Sequence, residues 1–132
     1  MHRSLPTRIR PLLAALWAAA WVGVAGLLLL PMPAPAPDHS DLLAHYVLFA
    51  GMAFAALGFS RRPGQLAGVG LLTIAGGTAL ELAQQLVPYR SFDLTDAAAN
   101  VLGATSGYAL AVIVLVLWLR PAGPELATND LG

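Results

Sequence analysis

Four apolar stretches, each close to the length of a membrane-crossing helix, leave this chain very few folds. A helix needs about 20 apolar residues to span a bilayer's hydrocarbon layer. Segments at about 11–30, 42–59, 66–87 and 97–119 meet that length. The stretches between them read PMPAPAPDHS, SRRPGQ and VPYRSFDLTD, and Pro121 and Pro124 follow the last one. These carry the proline, glycine and polar residues that interrupt helices. With 58% hydrophobic and 11% charged residues and a mean hydropathy of +0.70, the chain suits lipid rather than water as its solvent. Its 132 residues leave room for one domain. The expected fold is all-α: an integral membrane bundle of four transmembrane helices over residues 11–119. A cytoplasmic segment precedes it at 1–10, and a polar cytoplasmic tail follows at 120–132.

The direction of the spans follows from arginine, since all seven basic residues are arginines. Arg3, Arg8 and Arg10 precede the first span, Arg61 and Arg62 separate the second from the third, and Arg120 follows the fourth. The alternate loops hold Arg90 alone. The positive-inside rule then places both termini in the cytoplasm, and a bacterial inner membrane is the expected location. Arginines before the first span and the Ala34-Pro35-Ala36 run after it also fit a cleaved signal peptide. Its apolar run exceeds the roughly 7–15 residues of a signal core, and the prolines disfavour cleavage, so a retained helix is expected. Trp17, Trp21 and Trp118 are expected at the interface or facing lipid. No basic tract fits a nucleic-acid backbone, and the absence of cysteine excludes disulfides and thiolate metal sites.

Against this background the polar residues stand out. Asp41 and His45 are four apart and share a face at the start of the second helix. Glu81 and Gln84 share a face near the end of the third, with Glu81 seven residues before Pro88 and so ~10 Å below the expected helix end. A carboxylate at such depth would cost on the order of 2–3 kcal/mol against lipid, so Glu81 should point inward and either find a partner or be protonated. Asp96, Asn100, Gly103 and Gly107 follow at spacings of 4, 3 and 4, one continuous helical stripe. Ala99, Gly103, Gly107 and Ala111 form a small-residue series beside it. Gly70 and Gly77 lie on the stripe of Glu81 and Gln84. Small residues at these spacings let backbones approach closely, and the expectation is a glycine seam between the third and fourth helices.

These residues resemble the pattern of the VanZ-like membrane proteins. That pattern runs Asp with His four later, Glu-x-x-Gln, Pro-x-Arg, two Asp three apart, Asn four later, and two glycines. Here it is matched by Asp41 and His45, Glu81 and Gln84, Pro88 and Arg90, Asp93 and Asp96, Asn100, Gly103 and Gly107. Where family members often carry Lys after the first Asp, this chain has Leu42. The resemblance implies a small helical protein of the cell-envelope membrane. The family takes its name from a protein associated with resistance to the glycopeptide teicoplanin, but fold and family do not carry such a phenotype to this chain.

The polar residues admit several functions. Interhelical hydrogen bonds are worth ~0.6 kcal/mol on average in membranes, a small return for burying several ionisable groups. A ligand site is therefore favoured over a purely structural network. Its expected lining is Asp41, His45, Glu81, Gln84, Arg90, Asp93, Asp96 and Asn100, in an outward-facing polar pocket. The expected partners are the bilayer itself and either a lipid-linked envelope precursor or another membrane protein. Arg90 is the anion contact, since guanidinium holds phosphate or carboxylate through two parallel hydrogen bonds. The second reading is a small membrane enzyme acting on a phosphorylated or acylated lipid, with His45 or Glu81 as acid or base. Asp41, His45, Glu81 and Asp96 could offer metal ligands, but no close-spaced zinc motif occurs, and no metal or cofactor is expected. A channel or pump would need ionisable groups along the whole depth, whereas below the cluster the third and fourth helices offer Thr73, Thr78, Thr105 and Ser106.

Overall fold

The computed structural model describes residues 8–30, 40–88 and 92–119. It contains four helices, α1 (Ile9–Leu29), α2 (Ser40–Ala55), α3 (Pro63–Gln84) and α4 (Leu94–Leu119), with a 3-10 turn at Ala56–Gly58 continuing α2. No strand occurs among the described residues. All four helices, α2 counted with its 3-10 turn, are long and apolar enough to cross a membrane. Their outer surfaces carry many large apolar side chains, among them Val22, Leu71, Leu102 and Trp118. Contiguous apolar surface on this scale suits lipid, not water.

Local chemistry sets the helix ends and moves them from the expected positions. α3 starts at Pro63, three residues early, because a proline at the first helical position already has a helical φ and needs no N–H partner. Arg62 before it is extended, at φ −135° and ψ 148°. α4 starts at Leu94 rather than near 97, because Asp93 caps it. The Asp93 carboxylate accepts from the Thr95 backbone N–H at 2.7 Å and from the Thr95 hydroxyl at 2.6 Å. α3 ends at Gln84, where Gln85, Leu86 and Val87 turn to bonds three residues back, ahead of Pro88. Glu81 consequently lies only three residues, or about 4.5 Å, from the end of its helix, shallower than the expected ~10 Å.

The helices alternate in direction. Trp21 of α1 lies over Gly76 of α3, and farther along both helices Leu28 meets Gln84, so α1 and α3 run parallel. Gly103 of α4 approaches Tyr46 of α2, and Gly107 approaches Ala50, so α2 and α4 also run parallel. The most extensive interface is this α2–α4 contact, which corrects the expected seam. A side chain at Gly103 would strike the Tyr46 carbonyl, and one at Gly107 the Ala50 carbonyl. The glycine hydrogens there face the neighbouring carbonyls, the arrangement of Cα–H···O contacts between close helices. The α3 glycines play another part: Gly70 makes room for the ring of Tyr108, and Gly77 for that of Phe49.

Two tryptophans also depart from expectation. Trp17 and Trp21 are half-buried and turn inward, edge-on to each other with ring centroids 5.8 Å apart. Trp17 further packs on Phe59 and Trp21 on Phe49. The Trp17 indole N–H donates to the Met52 carbonyl at 2.8 Å, which ties α1 to α2. Trp118 does remain exposed. The Thr73, Thr78 and Thr105 hydroxyls donate to carbonyls one turn back in their own helices, so they are satisfied without crossing the bundle.

Candidate functional site at the acidic end of the bundle

The parallel α2–α4 seam has a direct consequence for the polar residues. With Tyr46 set against Gly103 and Ala50 against Gly107, one turn farther toward the helix starts His45 meets Asn100 and Asp41 comes near Asp96. His45 Nδ1 and Asn100 Oδ1 are 2.9 Å apart, with both residues buried. The carboxamide nitrogen of Asn100 donates to the Gly77 carbonyl at 3.5 Å, so this one side chain bridges all three of α2, α3 and α4. A backbone carbonyl can only accept, which turns the Asn100 oxygen toward the imidazole. His45 Nδ1–H is therefore the donor, and Nε2 carries the lone pair in the neutral ring. Nε2 lies 3.9 Å from Asp41 Oδ1 and 4.0 Å from Asp96 Oδ2, beyond hydrogen-bond length. Both aspartates sit in the first turn of their helices, where the helix dipole favours negative charge.

Glu81 stands beside this group, fully buried. Its Oε1 accepts from the Asp93 backbone N–H at 3.1 Å, which ties the entry of α4 to α3. Its Oε2 is buried with no hydrogen-bond partner among the described residues. Glu81 lies in the neighbourhood of His45, Asp93 and Asp96. Gln84 turns away from the cluster: its amide donates to the Leu28 carbonyl at 3.0 Å, satisfying one of the open carbonyls at the end of α1. Of the expected lining, Asp41, His45, Glu81, Asp96 and Asn100 are brought together, Asp93 stands at their edge as the α4 cap, and Gln84 serves the α1–α3 contact. Arg90 lies outside the described residues.

A family model described as VanZ/LLP1 matches residues 13–116. The chain belongs to the VanZ/LLP1 family. No curated protein and no solved structure matches it. With four spans and this membership, the VanZ-family chain is a multi-pass integral membrane protein. The match takes in every residue of the cluster, from Asp41 to Asn100.

Charge in this VanZ-family bundle is segregated. Among the described residues, Arg8, Arg10, Arg61 and Arg62 lie at one end, and Asp41, Glu81, Asp93 and Asp96 lie at the other. A groove of about 370 Å³ lined by Phe59, Ser60, Gln65, Gly68, Val69 and Leu72 belongs to the arginine end, away from the cluster. At the acidic end, the hydrogen bonds from Thr95 hold the exposed Asp93 carboxyl below the usual aspartate range. A depressed folded-state value means that the cap stabilises the protein above the ordinary aspartate value of 3.8 and that this contribution fades as pH falls below it. Asp93→Ala is expected to lower the melting temperature at neutral pH, with the gap to wild type closing on acidification below that value. A gap unchanged down to strongly acidic pH would show that the carboxylate is not the cap.

Proposed function

We propose that the acidic end of the bundle faces the outside of the bacterial inner membrane and binds the polar head group of a lipid-linked envelope molecule. The observation that carries this reading is the buried Glu81 Oε2, which has no hydrogen-bond partner among the described residues. A network that served packing alone would satisfy its own atoms, because an unpaired buried acceptor costs about 1–3 kcal/mol. A buried oxygen without a partner among the described residues is suited to a ligand's hydroxyl or amide donor. The described cluster holds three carboxylates and one imidazole, so an anionic head group needs positive charge from elsewhere. Arg90, in the segment joining α3 to α4, supplies it in this reading.

Native mass spectrometry of the protein extracted in mild detergent tests the proposal. A retained anionic lipid, lost when Arg90 is replaced, is the expected result, and wild type that carries no lipid would overturn it. The orientation is tested separately. Reporter fusions within 61–65 and after Arg120 are expected to report cytoplasm, and fusions near Pro35 the outside. An external carboxyl terminus would reverse the assignment.

A second reading, an enzyme acting on a phosphorylated or acylated lipid, is favoured by one feature. The Asn100 bond to Nδ1 leaves His45 Nε2 as a basic nitrogen between two carboxylates. Turnover of a lipid phosphate or ester by the purified protein, abolished in His45→Gln of unchanged fold, would replace binding by catalysis as the function.

A further inference from the structure

We propose that Asp41, His45 and Asp96 form a divalent-cation site, with Asn100 holding the imidazole in the orientation the ion requires. One ligand atom from each of the three residues lies within 4.8 Å of the other two. The two His45 Nε2 to carboxylate distances, 3.9 and 4.0 Å, are too long for hydrogen bonds. They suit donors that share an ion lying ~2.0–2.2 Å from each, after a small inward movement of the side chains. One imidazole nitrogen and two carboxylate oxygens form a borderline donor set that matches Zn²⁺ or Mn²⁺.

Three further features support the site. The first is the tautomer. Asn100 accepts from Nδ1–H, so the lone pair on Nε2 points into the space between the aspartates, the outer-shell arrangement by which proteins present a ligating histidine. The second is charge. Asp41 and Asp96 converge here on the one imidazole. Two carboxylates at close range repel, and a divalent ion offsets that repulsion. The third is Glu81, whose buried Oε2 has no hydrogen-bond partner among the described residues. It is not one of the three grouped ligands, and it adds an unpartnered buried oxygen beside them. Asp41, with its side chain 48% exposed, leaves the site open on one side to an entering ion and to an oxygen from a ligand.

The cation site rests on the ligand geometry and stands whether or not a lipid binds. Its test uses tag-free, full-length protein in detergent, stripped with a chelator and then titrated with Mn²⁺, read by electron paramagnetic resonance, or with Zn²⁺, read by metal analysis. One ion per chain is expected, together with a higher melting temperature in its presence. Asp41→Asn is expected to weaken binding at least tenfold without unfolding the metal-free protein, because Asp41 is half exposed and outside the packed interior. Asp96→Asn is expected to weaken it comparably. Absence of stoichiometric binding of either ion by wild type would overturn the site, as would binding undiminished in both variants. Lipid retained in the same samples separates the two readings. Lipid without metal sinks the cation site alone, and metal without lipid supports it and sinks the head-group reading.

Discussion

Gly107→Leu, and Gly103→Leu with it, is expected to lower the melting temperature of the detergent-solubilised bundle sharply, while Val114→Leu stays close to wild type. In lipid the apolar surfaces of helices gain little from meeting each other, since the acyl chains are equally apolar, so association depends on close packing. At these two positions the atoms in the way of a side chain are the backbone carbonyls of Ala50 and Tyr46, which cannot rotate aside. Overpacking costs about 1–3 kcal/mol where neighbours can adjust, and here the alternative to adjustment is separation of α2 from α4. Even Gly107→Ala should destabilise. Gly51→Ala, in contrast, meets nothing within 4 Å and should be neutral or mildly stabilising, as expected for alanine in place of a helical glycine. The seam also sets the register that brings His45 to Asn100, so metal and lipid binding should fall in step with stability in the Gly103 and Gly107 variants. Equal melting temperatures for Gly107→Ala and Gly51→Ala would remove the seam as the organising contact.

Arg90→Ala is expected to abolish retention of anionic lipid while the bundle keeps its melting temperature, and Arg90→Lys is expected to be impaired as well. Guanidinium grips phosphate or carboxylate through two parallel hydrogen bonds, which the single ammonium of lysine does not reproduce. If lysine restored retention fully, Arg90 would act as a point charge and the bidentate contact would be wrong. Asn100→Ala is the instructive contrast. By its residue type alone Asn100 fits the same role as Arg90, but its side chain is fully buried and joins three helices. Removing it strands the His45 Nδ1–H and relaxes the α3 contact, at a cost of about 1–3 kcal/mol. Loss of function in Asn100→Ala should therefore come with loss of stability, whereas in Arg90→Ala it should not. Parallel loss of fold and binding in both variants would make the cluster structural.

How legible the site was in the sequence depends on the residue. Asp41 and His45, and Asp96 and Asn100, are pairs one helical turn apart, and their spacing placed each pair on one face correctly. Glu81 was legible as buried because a carboxylate in an apolar span has nowhere else to go. Its depth was not, because the end of α3 depends on the turn at Gln85–Val87 ahead of Pro88. Gln84 looked like a partner of Glu81 on the same stripe, but a long amide reaches sideways, and the open Leu28 carbonyl of α1 claims it. The proposed cation ligands were among the residues the sequence offered, but Asp96 lies 51 residues after His45 on another helix, so no short motif joined them.

The sequence by itself determined the number of spans, the all-helical class, the clustering of polar residues near the end of the third span and the start of the fourth, and the family. Each of these follows from hydropathy, charge and spacing along one dimension, and lipid enforces them because an unpaired backbone cannot cross it outside a helix. Only the tertiary structure decided which helix each glycine faces, that Trp17 and Trp21 turn inward, and that His45, Asn100 and the two aspartates converge. In water, an apolar stripe marks the buried face of a helix. In a bilayer the lipid face and the protein face are alike apolar, so the facing partner is chosen by shape, and shape appears only when all four helices are in place.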